Sequence, residues 1–332
     1  MNIKLANDEV IHFIGIGGIG MSGLALIMKN MGFKIQGSDI NYNQNINSLK
    51  KLGIKIFTGH KYRNLKNTTV VVVSSAIKNN NLELKLAKKN KLPVYKRGDM
   101  LAHVVSLKKN IVISGSHGKT TTTSLISSIL FASKIDATVI NGGVINQIQS
   151  SAKLGKSEWS LLESDESDGS FLKIPITYSV VTNIDKEHLD FYKNFSNLEK
   201  SFQKFIEKTP PFGKSFICLD DKNNQNLINK LKIKNFQTYG FNKNSNFLII
   251  LRERNKNFSR FDLKIKILGK KTRLLKNFRI PLLGDHNIKN SAAAIAVSLN
   301  IGIDLKQIKN GLKNFYGVQR RFNKIFTHNK ND

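Results

Sequence analysis

Residues 111–123 read Ile-Val-Ile-Ser-Gly-Ser-His-Gly-Lys-Thr-Thr-Thr-Thr, and the fold turns on them. The run Asn110–Ser114 has the length and β-branched content of a buried strand, and Thr121–Ala132 reads as a helix. Between them, Gly115-Ser116-His117-Gly118-Lys119-Thr120-Thr121 is a phosphate loop with a shorter gap than G-x-x-x-x-G-K-[ST]. Its mechanics are the same. Backbone N–H groups cradle phosphates, Lys119 reaches the β- and γ-phosphates of ATP, and Thr120 offers a hydroxyl to Mg²⁺. Thr120 has a competing use as a helix N-cap.

A second glycine loop lies upstream. Val10–Ile14 reads as a strand and Met21–Met31 as an apolar helix, joined by Gly15-Ile16-Gly17-Gly18-Ile19-Gly20. This satisfies G-x-G-x-x-G, and Asp39 follows 19 residues after Gly20. Glycines let the backbone approach a diphosphate, and the helix N-terminus adds free N–H groups. A dinucleotide with Asp39 on its ribose is the default ligand, and a tight turn without a ligand is the alternative. Two phosphate loops in one chain argue against a nicotinamide-dependent oxidoreductase, because hydride transfer needs no ATP. They suit an enzyme holding a nucleotide-linked substrate in one domain and ATP in the next.

The rest of the chain extends this α/β reading. Lys34–Gly37, Val70–Val73 and Pro93–Tyr95 are expected strands of the first unit, and Ser160–Glu163 and Tyr178–Thr182 of the second. Phe195–Ile206 reads as a helix broken by Pro210-Pro211, Asn246–Ile280 as antiparallel strands, and the Ala-rich Asn287–Ile301 as a helix. A Rossmann-like parallel-sheet domain is expected over residues 1–108. A P-loop α/β ATP-binding domain with additional antiparallel strands is expected over 109–322.

Composition narrows the class. The 332 residues carry 53 Lys and Arg against 23 Asp and Glu, a net charge of +30. Yet the basic residues are scattered, with pairs such as Lys50-Lys51 and Lys270-Lys271, and no stretch interleaves Arg with stacking aromatics. A Lys- and Asn-rich solvated surface is preferred to a nucleic-acid function, while the field still draws anionic ligands. No apolar run approaches 18 residues, and Asp8 and Glu9 interrupt any signal-like stretch, so neither membrane nor export is implied. The single cysteine, Cys218, cannot form an internal disulfide, which fits a reducing cytoplasm.

The chain resembles the Mur ligases of peptidoglycan synthesis. The resemblance is carried by Gly15–Ala25 (GIGGIGMSGLA), Ser74–Ile77 (SSAI), Gly115–Thr123 (GSHGKTTTT), Glu163–Phe171 (ESDESDGSF), Thr182–Asp190 (TNIDKEHLD), Gly284–Ala294 (GDHNIKNSAAA) and Gly317–Phe322 (GVQRRF). It implies a ligase in which ATP phosphorylates the lactyl carboxylate of UDP-N-acetylmuramic acid and an amino acid attacks the acyl phosphate. The first and fourth motifs look like the L-alanine-adding branch, with a murein-peptide recycling ligase as the alternative. The resemblance further implies site roles. Gly115, Ser116, His117, Gly118, Lys119, Thr120 and Thr121 would bind ATP phosphates, His286 and Asn287 adenine, and Arg320 of the Arg320-Arg321 pair a phosphate. Glu163 and Thr120 would hold one Mg²⁺, and His188 a second. Lys119, Glu163 and His188 would be catalytic. Gly17, Gly18, Ile19, Gly20, Met21, Asp39 and Ser74 would hold the UDP part. From the residues alone, His188 is an ordinary histidine, His286 and Asn287 a helix cap and first turn, Arg320 a linker arginine, and Asp165, Glu166 and Asp168 a solvated acidic turn. A third, amino-acid-binding domain is implied, of which residues 323–332 would be the start. The sequence stops there, so full ligation is expected to be strongly impaired.

Overall fold

A computed structural model describes residues 9–315 and 317. Arg320 and the segment 323–332 lie outside the described residues. The chain builds two β-sheets. The first contains β1 (Val10–Ile14), β2 (Lys34–Asp39), β3 (Lys55–Thr58), β4 (Val70–Val73) and β5 (Val94–Lys96), in the order β3-β2-β1-β4-β5 and parallel throughout. Four helices complete it: α1 (Ile19–Asn30), α2 (Gln44–Lys51), α3 (Leu82–Lys89) and α4 (Arg97–Val105). β1 is central, with β2 on one side and β4 on the other. The chain therefore switches direction at β1, and the first glycine loop leaves its carboxyl end at that switch point.

The second sheet repeats the device on a larger scale. Its strands are β6 (Lys109–Ser114), β7 (Thr138–Ile145), β8 (Ser150–Lys153), β9 (Trp159–Glu163), β10 (Tyr178–Val181), β11 (Lys214–Cys218), β12 (Phe236–Gly240), β13 (Phe247–Arg254), β14 (Ser259–Ile265) and β15 (Arg273–Ile280). They run in the order β15-β14-β13-β12-β11-β10-β6-β9-β7-β8. β13, β14 and β15 form an antiparallel meander and β8 an antiparallel edge, as the alternating pattern of 246–280 implies for the former. The helices are α5 (Lys119–Ala132), α6 (Leu189–Tyr192), α7 (Phe195–Glu207), α8 (Lys222–Ile228), α9 (Asp285–Asn300) and α10 (Leu305–Lys313). β6 lies between β9 and β10, with Ile113 opposite Glu163 and Ser114 opposite Val181. That register gathers the ends of three strands around the phosphate loop.

Three expected helices start two residues early. α1 begins at Ile19, α5 at Lys119 and α9 at Asp285. In each, a glycine occupies the N-cap (Gly18, Gly118 and Gly284) without a side-chain cap. Gly118 (φ 84°) and Gly284 (φ 89°) adopt positive φ, the freedom only glycine has without strain. Thr120 is thus inside α5, and the N-cap reading for it fails. His286 and Asn287 likewise sit in the first turn of α9 and are not its cap.

The two sheets share apolar packing. Buried Met21, Leu24 and Met28 of α1 belong to one cluster with Ile140 and Ala152 of β7 and β8, and Met100 and Leu101 of α4 to the same cluster with Phe171 and Ile174. The approach is close: a Cβ on Gly23 would lie 3.0 Å from that of Ala152. The start of α1 therefore shares one cleft with β7 and the end of β9.

Candidate active site

Lys119 is held before any nucleotide arrives. Its Nζ donates to the Gly115 carbonyl (2.6 Å), to the Ser116 carbonyl (3.3 Å) and to both carboxylate oxygens of Glu166 (2.9 and 3.1 Å). Glu166 is 1% exposed, so the acidic turn is not wholly solvated. Burial pushes the Glu166 carboxyl above its ordinary range, and the Lys119 charge opposes that rise. The Tyr192 hydroxyl donates to the Glu166 carbonyl and fixes the turn from behind.

The loop is braced by the segment after β10. Ser116 N–H donates to the Asn183 carbonyl (3.0 Å), His117 N–H to Asn183 Oδ1 (2.9 Å), and Asp185 N–H to Ser116 Oγ (2.8 Å). Thr182 Oγ1 donates to the His117 carbonyl (2.6 Å). The His117 ring points outward to Asp185 (3.1 Å). On the far side, a Cβ on Gly118 would lie 2.8 Å from Asn290 of α9. These braces were not anticipated from the sequence; the signal was the Thr182–Asp185 segment directly following a central strand.

Thr120 donates its hydroxyl to Glu163 Oε1 at 3.0 Å, and Gly142 N–H donates to Glu163 Oε2 at 2.6 Å. A hydroxyl and a carboxylate side by side at a phosphate loop are hard oxygen donors that fit Mg²⁺. His188 lies apart from that pair, with Nε2 3.8 Å from Glu166 Oε1. Ligand atoms of Asp165, Glu166 and His188 fall within 4.8 Å of one another. His188 also has φ 56°, an uncommon conformation for a side-chain-bearing residue. Thr121 is buried in the first turn of α5. In α9, His286 is exposed, whereas Asn287 is buried and donates to the Leu283 carbonyl (2.7 Å).

Five of the seven residues expected to hold the UDP part, Gly18, Ile19, Gly20, Met21 and Ser74, line a cleft of about 280 Å³ between the two sheets. Ser75, Arg97, Asn141, Gly142, Glu163, Asp165, Ser167 and Asp168 also line it. Gly17 and Asp39 do something else. Asp39 Oδ2 accepts from Gly17 N–H (2.8 Å), and Asn43 and Asn45 donate to the Gly17 carbonyl (3.0 and 2.9 Å). Asp39 thus pins the glycine loop. Beneath it, Ser38 gives its carbonyl to Gly15 N–H (2.8 Å) and its hydroxyl to buried Glu83 (2.5 Å). Glu83 also faces His12 and His60 (3.3 Å each), and takes a hydrogen bond from Asn64 (2.6 Å). Arg97 and the Glu83 cluster are further site elements that sequence reading missed.

Residues 10–109 match the family model described as "Mur ligase family, catalytic domain" and residues 113–298 the "Mur ligase middle domain". The chain is 61% identical over 328 residues to a UDP-N-acetylmuramate–L-alanine ligase of Pelagibacter ubique, covering 99% of this chain and 71% of that protein. It is 43% identical to the like-named protein of Brucella anthropi, covering 97% of this chain and 69% of that one. Among solved structures, the UDP-N-acetylmuramate–alanine ligase of Thermotoga maritima superposes with TM-score 0.81 at 27% identity, over 95% of this chain and 70% of that one. A UDP-N-acetylmuramate:L-alanyl-γ-D-glutamyl-meso-diaminopimelate ligase from Neisseria meningitidis gives 0.83 at 25% identity, over 94% and 99%. Among the described residues, no helix is long and apolar enough to cross a membrane.

Proposed function

The chain belongs to the Mur ligase family, and on that premise we propose that it activates the lactyl carboxylate of UDP-N-acetylmuramic acid with ATP and joins it to L-alanine in peptidoglycan precursor synthesis. The observation that carries this reading is the position of Glu163. Its carboxylate is bonded to Thr120 of the phosphate loop and also lines the cleft in which the first glycine loop lies. One residue therefore joins an ATP cradle to a nucleotide-sugar cradle.

The chemistry follows from the need. A carboxylate is a poor electrophile, and transfer of the γ-phosphoryl turns one of its oxygens into a leaving group. The amine of L-alanine then adds to the acyl carbon, and the tetrahedral adduct collapses to amide and phosphate. Lys119 would exchange its carbonyl and Glu166 partners for β- and γ-phosphate oxygens, with the Gly115–Thr121 backbone cradling them. Thr120 and Glu163 would hold Mg²⁺, which supplies charge neutralisation of the phosphoryl group. His188 would serve a second Mg²⁺ beside Asp165 and Glu166, and His286 and Asn287 the adenine. Gly18–Met21 and Ser74 would receive the diphosphate of the sugar nucleotide. Nucleotide substrates and a lone buried Cys218 are consistent with a reducing, cytoplasmic setting.

The test is ADP release by this chain with Mg²⁺-ATP and UDP-N-acetylmuramic acid, with and without L-alanine. Release that requires L-alanine and disappears in Lys119→Ala supports the ligase. Saturable binding of ATP and UDP-N-acetylmuramic acid without turnover supports the two cradles alone. A folded chain that binds neither ligand refutes the reading.

A further inference from the structure

The second sheet ends on a strongly cationic edge. β15 is its last strand and pairs with β14 alone. Residues 264–276 span the end of β14, the hairpin and the start of β15. They carry six cations, Lys264, Lys266, Lys270, Lys271, Arg273 and Lys276, and no acid. The acids of the meander are already taken, Asp262 by Arg252 and Glu253 by Arg260, each at 2.8 Å. None of the six cations meets a carboxylate among the described residues, and the four from Lys270 onward are exposed. Charge on an edge strand has a bland use, because it keeps other strands from pairing there. That use does not account for the tip of the hairpin. Lys270 N–H donates to the Ile267 carbonyl at 3.0 Å and closes a tight turn, in which Gly269 takes φ 74°, a value glycine adopts without strain. Ile267 packs on the core of the second sheet and anchors the turn. Leu268 stands at the apex and is 100% exposed, more than any other large apolar residue among those described. Leu274, opposite Lys264, is 43% exposed.

A bare leucine flanked by cations without acidic partners matches a surface that is anionic outside and apolar within. An anionic bilayer is such a surface. Its headgroups attract lysine and arginine, whose long apolar stems follow the tip, and its interface receives the leucine. Nucleic acid matches less well. Phe261 and Phe278, the aromatic residues of the two strands, are fully buried, so no ring is offered to a base, and the leucine gains nothing there. We propose that the β14–β15 hairpin is a docking point for an anionic lipid surface, with Leu268 entering the interface and Lys270, Lys271 and Arg273 on the headgroups. This contact needs no membrane-crossing helix, because the protein lies on the surface.

Co-sedimentation of the whole chain with vesicles tests it, using phosphatidylcholine alone and an equimolar mixture of phosphatidylcholine and phosphatidylserine. Wild type should bind the mixture in preference to phosphatidylcholine and lose that binding as salt is raised. Each cation at such a surface is worth about fivefold in partitioning, so Lys270→Ala combined with Lys271→Ala should lose roughly 25-fold. Leu268→Ala should lose about tenfold while keeping the salt dependence. Both variants should keep the wild-type melting temperature. No preference of wild type for the mixture overturns the proposal. So does unchanged binding by the double variant, since the diffuse charge of the chain would then suffice. Undiminished vesicle binding by Leu268→Ala, with duplex DNA bound as tightly, would make the hairpin a general polyanion site and overturn the assignment to lipid.

Discussion

Replacing Gly142 by alanine tests the role of Glu163 with one methyl group. Gly142 has no positive φ, so alanine meets no backbone penalty, and the whole effect is steric. The added Cβ would lie 2.5 Å from Glu163 Oε1 and 2.9 Å from its Cδ and Oε2. A relaxed C···O separation is about 3.3 Å, so the carboxylate must retreat by about 0.8 Å. It cannot do so while keeping both the 3.0 Å bond from Thr120 and the 2.6 Å bond from Gly142 N–H. Losing one bond to a charged group costs about 1.5–3 kcal/mol, or roughly 10- to 100-fold in an equilibrium. The assay is ATP affinity by calorimetry with and without Mg²⁺. The gain in affinity brought by Mg²⁺ should shrink by about that factor, while Mg²⁺-free affinity stays within about twofold of wild type, since the phosphate cradle itself is untouched. An unaltered Mg²⁺ effect in a Gly142→Ala chain would refute the argument that the metal acts through Glu163.

Three further outcomes are expected. Lys119→Met leaves Glu166 buried without its lysine, which raises its already elevated folded pKa further; a folded pKa above the unfolded one means stability falls as pH climbs through it. Urea melts should show a loss of about 3–5 kcal/mol near pH 8 and a markedly smaller loss near pH 5, and equal losses at both would contradict the buried pair. Glu83 behaves oppositely: burial alone would raise its pKa, but hydrogen bonds from His12, Ser38 and Asn64 and the His12 charge hold it below normal, so its contribution is present above about pH 4.5 and fades as pH falls through the folded value. Glu83→Ala should therefore cost about 3 kcal/mol at neutral pH and little in strong acid, measured by melting across pH. Gly98→Val drives a side chain into Ser170, in the turn between β9 and β10 that packs on α4, and should lower stability by about 1–3 kcal/mol while weakening UDP-sugar binding more than ATP binding; parallel losses for both ligands would argue against a local wedge.

Strong local signals made much of this legible in advance. The runs VIHFI and VVVV are too apolar to be anything but buried parallel strands, and each glycine loop announces a strand-to-helix turn. Short or polar strands were harder. Lys55–Thr58 and Ser150–Lys153 lack an apolar run and exist because neighbouring strands offer them a ladder. Helix starts were misplaced because glycine caps leave no side-chain signature. At the site, the placement of Lys119 and Thr120 was readable because it is set locally by the strand-to-helix loop. Glu166, Arg97 and the Asp39–Gly17 bond were not, since each acts across 20 or more residues and only packing brings the partners together.

The sharing of α1 between the two sheets bears on the order of synthesis. The first sheet is complete once Lys96 has emerged, and its crossovers are short enough for it to form on the ribosome. The α1 face carrying Gly23, however, gains its cover only when β7 and β8 follow, the last ending at Lys153. At 5–20 residues per second that interval is roughly 3–12 s. For that time the Gly23 side of α1 stands open in the nascent domain, and the second sheet docks there only when Ala152 arrives.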